Sequence, residues 1–237
     1  MKIHGLKALE DNYIWVIEDP GAKTAILVDP GQGEDVADFL RQNHLTLEAV
    51  LITHEHEDHV GGLDYLIDAF GDFPIFGPKE ASDRINHPVI DGQNIHIMGL
   101  NFRPIASPGH SLYHMAYLSD KWLFSGDALF MAGCGRVFTG DYQAQYDSLQ
   151  KFKALNDQVE VYAGHEYTLT NLKFAKTVLP DNPVIDQVMA SVTQSLTMDR
   201  PSMPSTIGLE RQINPFLMAE SKEEFEQLRL ARDGFKA

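Results

Sequence analysis

The sequence predicts an α/β protein that ends in a small, mostly helical C-terminal domain. Three observations predict it. Between residues 24 and 70, apolar runs alternate in the order strand, helix, strand, loop, helix. Four predicted strands end in a loop that carries histidine or aspartate, which is where open α/β folds place chemistry. After residue 165 the texture changes to helix candidates separated by Pro-containing breaks. The expected division is residues 1–165 and 166–237.

Residues 3–9, 13–18 and 24–28 read as short strands. Asp11-Asn12 and Asp19-Pro20-Gly21-Ala22 between them are turn chemistry, so these elements form a meander. Asp29-Pro30-Gly31 ends the third. Residues 34–44 place Val36, Ala37, Phe39 and Leu40 at helical spacing. Ala49-Val50-Leu51-Ile52 reads as a buried strand, and Leu63, Leu66, Ile67 and Phe70 resume a helix beyond it. Strands follow at 74–76, 94–98, 101–106, 115–118 and 122–124, a helix at 142–155, and a last strand at 159–162. Helix candidates then cover 171–178, 184–198, 205–213 and 220–232.

Bulk properties narrow the function. The 237 residues suffice for a substantial core, and 43% apolar content is normal for a soluble globular protein. A formal charge of −15 argues against a nucleic-acid backbone or an anionic membrane as main partner, because phosphate recognition needs clustered Lys and Arg. The single cysteine, Cys134, excludes an internal disulfide framework and fits a reducing compartment. The N-terminal residues lack an apolar signal core and no run approaches a membrane span, so a cytoplasmic protein is expected.

The densest chemistry lies in Thr53-His54-Glu55-His56-Glu57-Asp58-His59, directly after the buried strand. In extended backbone His54 and His56 point to the same side, while Asp58 and His59 fall where the chain turns. Neutral imidazole and carboxylate suit Zn²⁺, Fe²⁺ or Mn²⁺. Glu55 and Glu57 read as ordinary surface carboxylates. His110 follows a strand and the turn residues Pro108-Gly109, Asp127 ends the strand Trp122-Leu123-Phe124, and His165 ends the strand Val159-Glu160-Val161-Tyr162. His114, four residues after His110, invites a two-histidine helical reading, but Met115-Ala116-Tyr117-Leu118 reads as strand, so His114 is assigned to packing.

His-x-His-x-Asp-His resembles the signature of the metallo-β-lactamase superfamily. That resemblance implies an αββα sandwich with metals at one end. It implies one trio of ligands in His54, His56 and His110, another in Asp58, His59 and His165, and Asp127 bridging two ions. It also implies a supporting role for Asp29, which reads equally well as a turn residue. Cys134 is not at a ligand position of this pattern and reads as packing. Where the family shows Gly-His-Thr-x-Gly-His, this chain has Gly109-His110-Ser111-Leu112-Tyr113-His114, with Tyr113 in place of a glycine.

Beyond the metal motif, the chain is similar to the glyoxalase II (hydroxyacylglutathione hydrolase) family over nearly its full length. Residues 53–62, Gly133-Cys134-Gly135-Arg136, residues 164–175, Asn214-Pro215-Phe216 and residues 229–233 carry the similarity. It implies hydrolysis of S-D-lactoylglutathione to D-lactate and glutathione, the last step of methylglyoxal detoxification. It implies two divalent metal ions, Zn²⁺ foremost with Fe or Mn²⁺ as alternatives, and Asp58 or Asp127 orienting the nucleophilic water or taking its proton. The family's glutathione contacts fall on Arg136, Tyr167, Asn171, Arg229 and Arg232, and Phe138 stands where the family has a tyrosine. The expected partner is a small glutathione thioester taken by a monomer, with no nucleic acid and no membrane. A persulfide dioxygenase with one iron, a nuclease and a non-catalytic binding module are the rival readings. Acidity opposes the nuclease, and retention of all seven ligands opposes the binding module.

Overall fold

The computed structural model describes residues 1–236. Two compact units are present, residues 1–106 with 113–120, and residues 107–112 with 121–237. The first unit opens with β1 (Lys2–Ala8), β2 (Asn12–Asp19) and β3 (Thr24–Val28), followed by α1 (Glu34–Gln42), β4 (Thr46–Leu51), α2 (Glu57–Val60) and α3 (Leu63–Phe70). It continues through β5 (Ile75–Gly77), β6 (His87–Pro88), β7 (Ile95–Ile97), β8 (Leu100–Ala106) and β9 (Met115–Ser119). The second unit contains β10 (Trp122–Gly126), α4 (Tyr142–Lys153), β11 (Glu160–Ala163), α5 (Thr168–Val178) and α6 (Pro183–Thr197). It ends with β12 (Ser205–Thr206), α7 (Ile207–Ile213), α8 (Pro215–Met218) and α9 (Lys222–Asp233).

In the first unit β1 to β6 form one sheet in chain order. β1, β2 and β3 pair antiparallel, as short turns permit, while β3, β4, β5 and β6 pair in parallel. Parallel neighbours need a crossover, which α1 supplies between β3 and β4, and α2 with α3 between β4 and β5. β2 is buried along nearly all its length, matching its unbroken apolar run Tyr13-Ile14-Trp15-Val16-Ile17. Val36, Ala37 and Leu40 of α1 and Leu63 and Leu66 of α3 share a core with Val16, Leu27 and Val50. β7 and β8 form a hairpin through Met98 and Gly99, both with positive φ as the tight hairpin turn demands. β9 joins this hairpin, and its first residue donates from Met115 N to the Thr53 carbonyl at 2.8 Å. The Tyr117 hydroxyl donates to the Ile52 carbonyl at 2.7 Å. The chain leaving β4 is therefore pinned just before His54.

In the second unit β10 and β11 run parallel and β12 closes antiparallel on β11. Helices α4, α5, α8 and α9 meet through aromatic rings: Phe216 lies 5.8 Å from Phe174 and 6.1 Å from Phe225. A polar knot ties α7 to the loop after β10. The fully buried Glu210 carboxylate accepts from Ala132 N at 2.8 Å, Asn214 Nδ2 at 2.9 Å and the Ser205 hydroxyl. Asn214 Nδ2 also donates to the Gly133 carbonyl at 3.0 Å, so the 130–133 turn is held from the helical side.

The expected α/β architecture with a helical C-terminal part is present. Expected and observed helices coincide at 63–70 and differ by one to three residues elsewhere, because helix ends are set by caps rather than by periodicity. Four elements escaped the sequence reading, among them α8, a four-residue helix opened by Pro215. α2 is a single turn, β6 is two residues long, and β12 occupies the first two residues of an expected helix. Thr206 caps that helix, its side chain accepting from Leu209 N.

Burial raises the Glu210 carboxyl to about 7, against three hydrogen bonds that favour its charged form. A raised folded-state pKa contributes stability that is complete below about pH 4.5 and is lost as pH rises through about 7. Glu210→Gln keeps the shape and loses the titration. It should gain stability relative to the parent by on the order of 3 kcal/mol between pH 4.5 and 8, read from urea denaturation at both pH values.

Candidate metal centre

In the first unit the site begins at Asp29, a buried residue with φ of 51° directly after β3. Its carboxylate accepts from Thr53 N at 2.8 Å through one oxygen. The other oxygen accepts from the Thr53 hydroxyl at 2.7 Å and from His59 Nδ1 at 2.9 Å. Asp29 is thus both turn residue and support, which resolves the two readings left open above. These bonds also determine where the imidazole lone pairs lie. Thr53 spends its single proton on Asp29, so its oxygen accepts from His54 Nδ1–H at 2.9 Å and His54 Nε2 carries the lone pair. His59 likewise spends Nδ1–H on Asp29 and presents Nε2 as an acceptor. Asp29, His54 and His59 bring ligand-type atoms within 4.8 Å of one another, but Asp29 already accepts three hydrogen bonds, so it orients ligands.

His54 Nε2 and His56 Nδ1 stand 2.9 Å apart, close to two corners of one coordination polyhedron. Asp58 Oδ2 lies 3.6 Å from His59 Nε2. Gly31 packs beneath the Asp58 carbonyl so closely that any side chain there would overlap it. The buried His114 ring lies 5.0 Å from the His54 ring, which is the packing role expected of it.

The second unit carries His110, Asp127 and His165, all buried. His110 Nε2 and His165 Nε2 lie 3.4 and 3.3 Å from the same oxygen, Asp127 Oδ2. His110 Nδ1–H donates to the Arg136 carbonyl at 2.9 Å, so its lone pair is on Nε2, facing a carboxylate. Charge-assisted N–H···O bonds run about 2.7–2.9 Å, whereas the edge of a tetrahedral site with bonds of about 2.0–2.1 Å is roughly 3.3–3.4 Å. The observed spacing matches the ligand-to-ligand edge of such a site, and a cation there would make the meeting of lone pair and carboxylate favourable. By donor chemistry and spacing, these histidines and aspartates fit a divalent metal. Gly135 completes the packing, since a side chain there would collide with the Asp127 carbonyl and the His110 ring.

The expected substrate residues also lie in this unit. Arg136 is 57% exposed, with its guanidinium 5.8 Å from the Phe138 ring and 3.4 Å from Asp233 Oδ1. Phe138 is 62% exposed and its ring lies 5.3 Å from that of His110. Arg232 is half-buried and directs Nε and Nη2 to Asn171 Oδ1 at 3.3 and 3.2 Å. Burial, followed by the Arg229 charge, lowers its pKa. Arg229 itself is buried. It donates to the Cys134 carbonyl at 2.7 Å and to Asp233 Oδ1 at 2.8 Å, so it braces the 134–136 turn from within. The Tyr167 ring stacks on His165 at 4.8 Å. Cys134 is buried, as expected of a packing residue, and burial pushes its thiol up to about 11. Among the described residues, Asp233 bonds to both Arg136 and Arg229, so one carboxylate serves two of the three guanidiniums of this cluster.

Two supporting residues were not identified from sequence. Asn12, read as part of a turn, is the first residue of β2 and donates to Asp58 Oδ2 at 2.9 Å. Gln145, fully buried on α4, donates to the Ala128 carbonyl beside Asp127 and packs against Gly109 beside His110. A buried amide in a strand or helix carries no periodic signal that sets it apart. Its neighbours in space reveal it.

Comparison with known proteins agrees with this architecture. The metallo-β-lactamase superfamily model matches residues 9–94 and 71–165, and the model of the hydroxyacylglutathione hydrolase C-terminus matches residues 166–235. A hydroxyacylglutathione hydrolase of Haemophilus ducreyi is 45% identical over 236 residues, covering 99% of this chain and 100% of the relative. One from Glaesserella parasuis is 46% identical with the same coverage. The crystal structure of ETHE1 from Myxococcus xanthus aligns with a TM-score of 0.76 at 27% identity, covering 97% of this chain and 90% of that one. The chain belongs to the metallo-β-lactamase superfamily and, within it, to the hydroxyacylglutathione hydrolase family. The expected fold class is thereby borne out.

Asp29→Ala strips the acceptor from three buried donors. It should cost at least about 3 kcal/mol in urea denaturation and lower the bound-metal content, measured by elemental analysis of the purified protein.

Proposed function

We propose that this chain hydrolyses S-D-lactoylglutathione and related S-2-hydroxyacylglutathiones to the hydroxy acid and glutathione, using two divalent metal ions, Zn²⁺ foremost. The proposed ligands are His54, His56 and His110 for one ion and Asp58, His59 and His165 for the other, with Asp127 between them. The observation that carries the reading is the double use of residue 136. Its carbonyl holds His110, and its guanidinium belongs to the Arg136–Arg229–Arg232 patch. One short turn therefore joins ligand geometry to anion recognition, which suits a substrate that carries carboxylates on glutathione next to the scissile thioester.

When bound, the ions lower the pKa of water and polarise the thioester carbonyl. The remaining work falls to the chain. Arg136 and Arg232, with Tyr167 and Asn171, hold the glutathione carboxylates and amides, and Arg is the residue suited to bidentate carboxylate pairing. Arg229 and Asp233 keep that patch in place from inside. Asp58 or Asp127 orients the attacking water and takes up its proton. The water oxygen adds to the carbonyl carbon, the C–S bond breaks, and the electron pair leaves on sulfur. A thiol of pKa about 8.5 departs as thiolate without a strong general acid. Residues 166–237 act as the substrate-binding domain, and the protein acts as a cytoplasmic monomer. Among the described residues no helix is long and apolar enough to cross a membrane.

The test is thiol release from S-D-lactoylglutathione with metal analysis of the same sample. His54→Ala and Asp58→Ala should lower kcat at least about 100-fold with an unchanged circular dichroism spectrum. Near-normal turnover in a folded His54→Ala protein overturns the reading. Arg136→Ala should raise KM about tenfold and leave kcat within about threefold, the signature of lost uniform binding. Oxygen uptake with glutathione persulfide, without thiol release from the lactoyl thioester, would assign the chain to the dioxygenase reading instead.

A further inference from the structure

Asp58 is a partly exposed proposed ligand, its side chain 36% accessible, whereas His54 and His59 of the same loop are buried. It sits in the first turn of the four-residue helix α2, whose short length gives little rigidity. Left to itself such a carboxylate samples several rotamers, at an entropic cost when one of them is required. One buried side chain removes that freedom. Asn12 is 6% exposed, and its Nδ2 donates to Asp58 Oδ2 at 2.9 Å and to the Asp58 backbone carbonyl at 3.2 Å. An amide nitrogen carries two hydrogens, so one group grips the main chain and the side chain of a single residue.

The grip comes from a rigid place. Asn12 opens β2, where it pairs with Ala8 of β1 and precedes a wholly buried run. Gly31 packs tightly against the same carbonyl. His59, the neighbouring ligand, is independently anchored on Asp29. The backbone of Asp58 is held by Asn12 and packed against Gly31, His59 is held by Asp29, and the Asn12 amide also restrains the rotation of the Asp58 carboxylate. The result is the 3.6 Å separation of Asp58 Oδ2 from His59 Nε2.

We propose that Asn12 is a positioning residue, acting through Asp58, that fixes the carboxylate against His59 for the cation those two residues share. The inference rests on the ligand assignment under the proposed function and deepens it. Asn12 lies outside the His-x-His-x-Asp-His motif, 46 residues before the carboxylate it holds.

The test uses the metal-loaded full chain and three variants. Asn12→Leu keeps the volume and loses both hydrogen bonds, and Asn12→Ala removes the side chain. Asn86→Ala is the control, because Asn86 also makes amide bonds to backbone, at Phe73 and Ile75, but on the strand edge near β6. Zn²⁺ affinity is measured by chelator competition, and the coordination sphere by the visible spectrum of the Co²⁺-substituted protein. The two Asn12 variants should bind one of two ions about 10–100-fold more weakly, with a changed Co²⁺ spectrum. With the thioester, kcat should fall and KM should stay within about twofold. Asn86→Ala should melt at a lower temperature and keep the parent affinity and spectrum. Parent-like affinity and spectrum in a folded Asn12→Leu or Asn12→Ala protein overturn the inference, as does an equal loss in Asn86→Ala. Should Asn12→Ala not fold, the isosteric leucine variant decides. A parent that binds two cations but releases no thiol defeats the hydrolase reading alone and leaves this comparison intact.

Discussion

One buried carboxylate organises the first unit's share of the site. Asp29 leaves β3 in a left-handed conformation that few non-glycine residues adopt, and its two oxygens accept three hydrogen bonds. Burying an unpaired carboxylate is costly, so the fold supplies donors from β4's exit and from α2 at once. The consequence travels outward through proton counting. Thr53 has one proton and His59 one Nδ1–H, and committing both to Asp29 places the lone pairs of His54 and His59 on Nε2. The tautomers of both imidazoles are thus set by the fold itself, a form of preorganisation that would lower the cost of binding a cation there.

The second unit solves the same problem by other means. His110, Asp127 and His165 come from three strand-end loops, and Asp127 stands between the two imidazoles at nearly equal distances. The supports are a backbone carbonyl at Arg136, a glycine too tightly packed to carry a side chain, and the amide of Gln145. Behind them the Glu210–Asn214 knot ties the helical segment to the 130–133 turn. The helical C-terminal part therefore contributes to the arrangement of the turn that bears Cys134, Gly135 and Arg136, as well as offering its own arginines.

Much of this was legible in the residues. Three histidines and an aspartate within six positions after a buried apolar run mark a loop with few uses besides metal binding, and the helical spacing of 34–42 and 63–70 marks the crossovers a parallel sheet needs. The assignment of Asp29 stayed open because support depends on where Thr53 and His59 come to lie, which no local pattern encodes. The family resemblance put Arg229 among the glutathione contacts. It is buried against Cys134 and Phe216, since helical spacing on the polar α9 does not announce which arginine faces inward. Asn12 and Gln145 escaped because an amide is unremarkable in sequence and acquires meaning only from the group it faces. Single-turn and two-residue elements such as α2, β6 and β12 are set by tertiary contacts, too short for any periodicity to register.

Cys134 gives the Arg136 turn a chemical property of its own. In a family named for hydroxyacylglutathione hydrolysis, an exposed, ionised cysteine on the Arg136 turn would be open to mixed-disulfide formation. Here the sulfur is 3% exposed, and burial keeps it protonated at neutral pH despite the adjacent Arg229. Exchange requires the thiolate and an open line of attack, and this position offers neither. The chain's single thiol is thereby silent towards thiol–disulfide exchange, and the Arg136 turn keeps its shape whatever the redox poise around it.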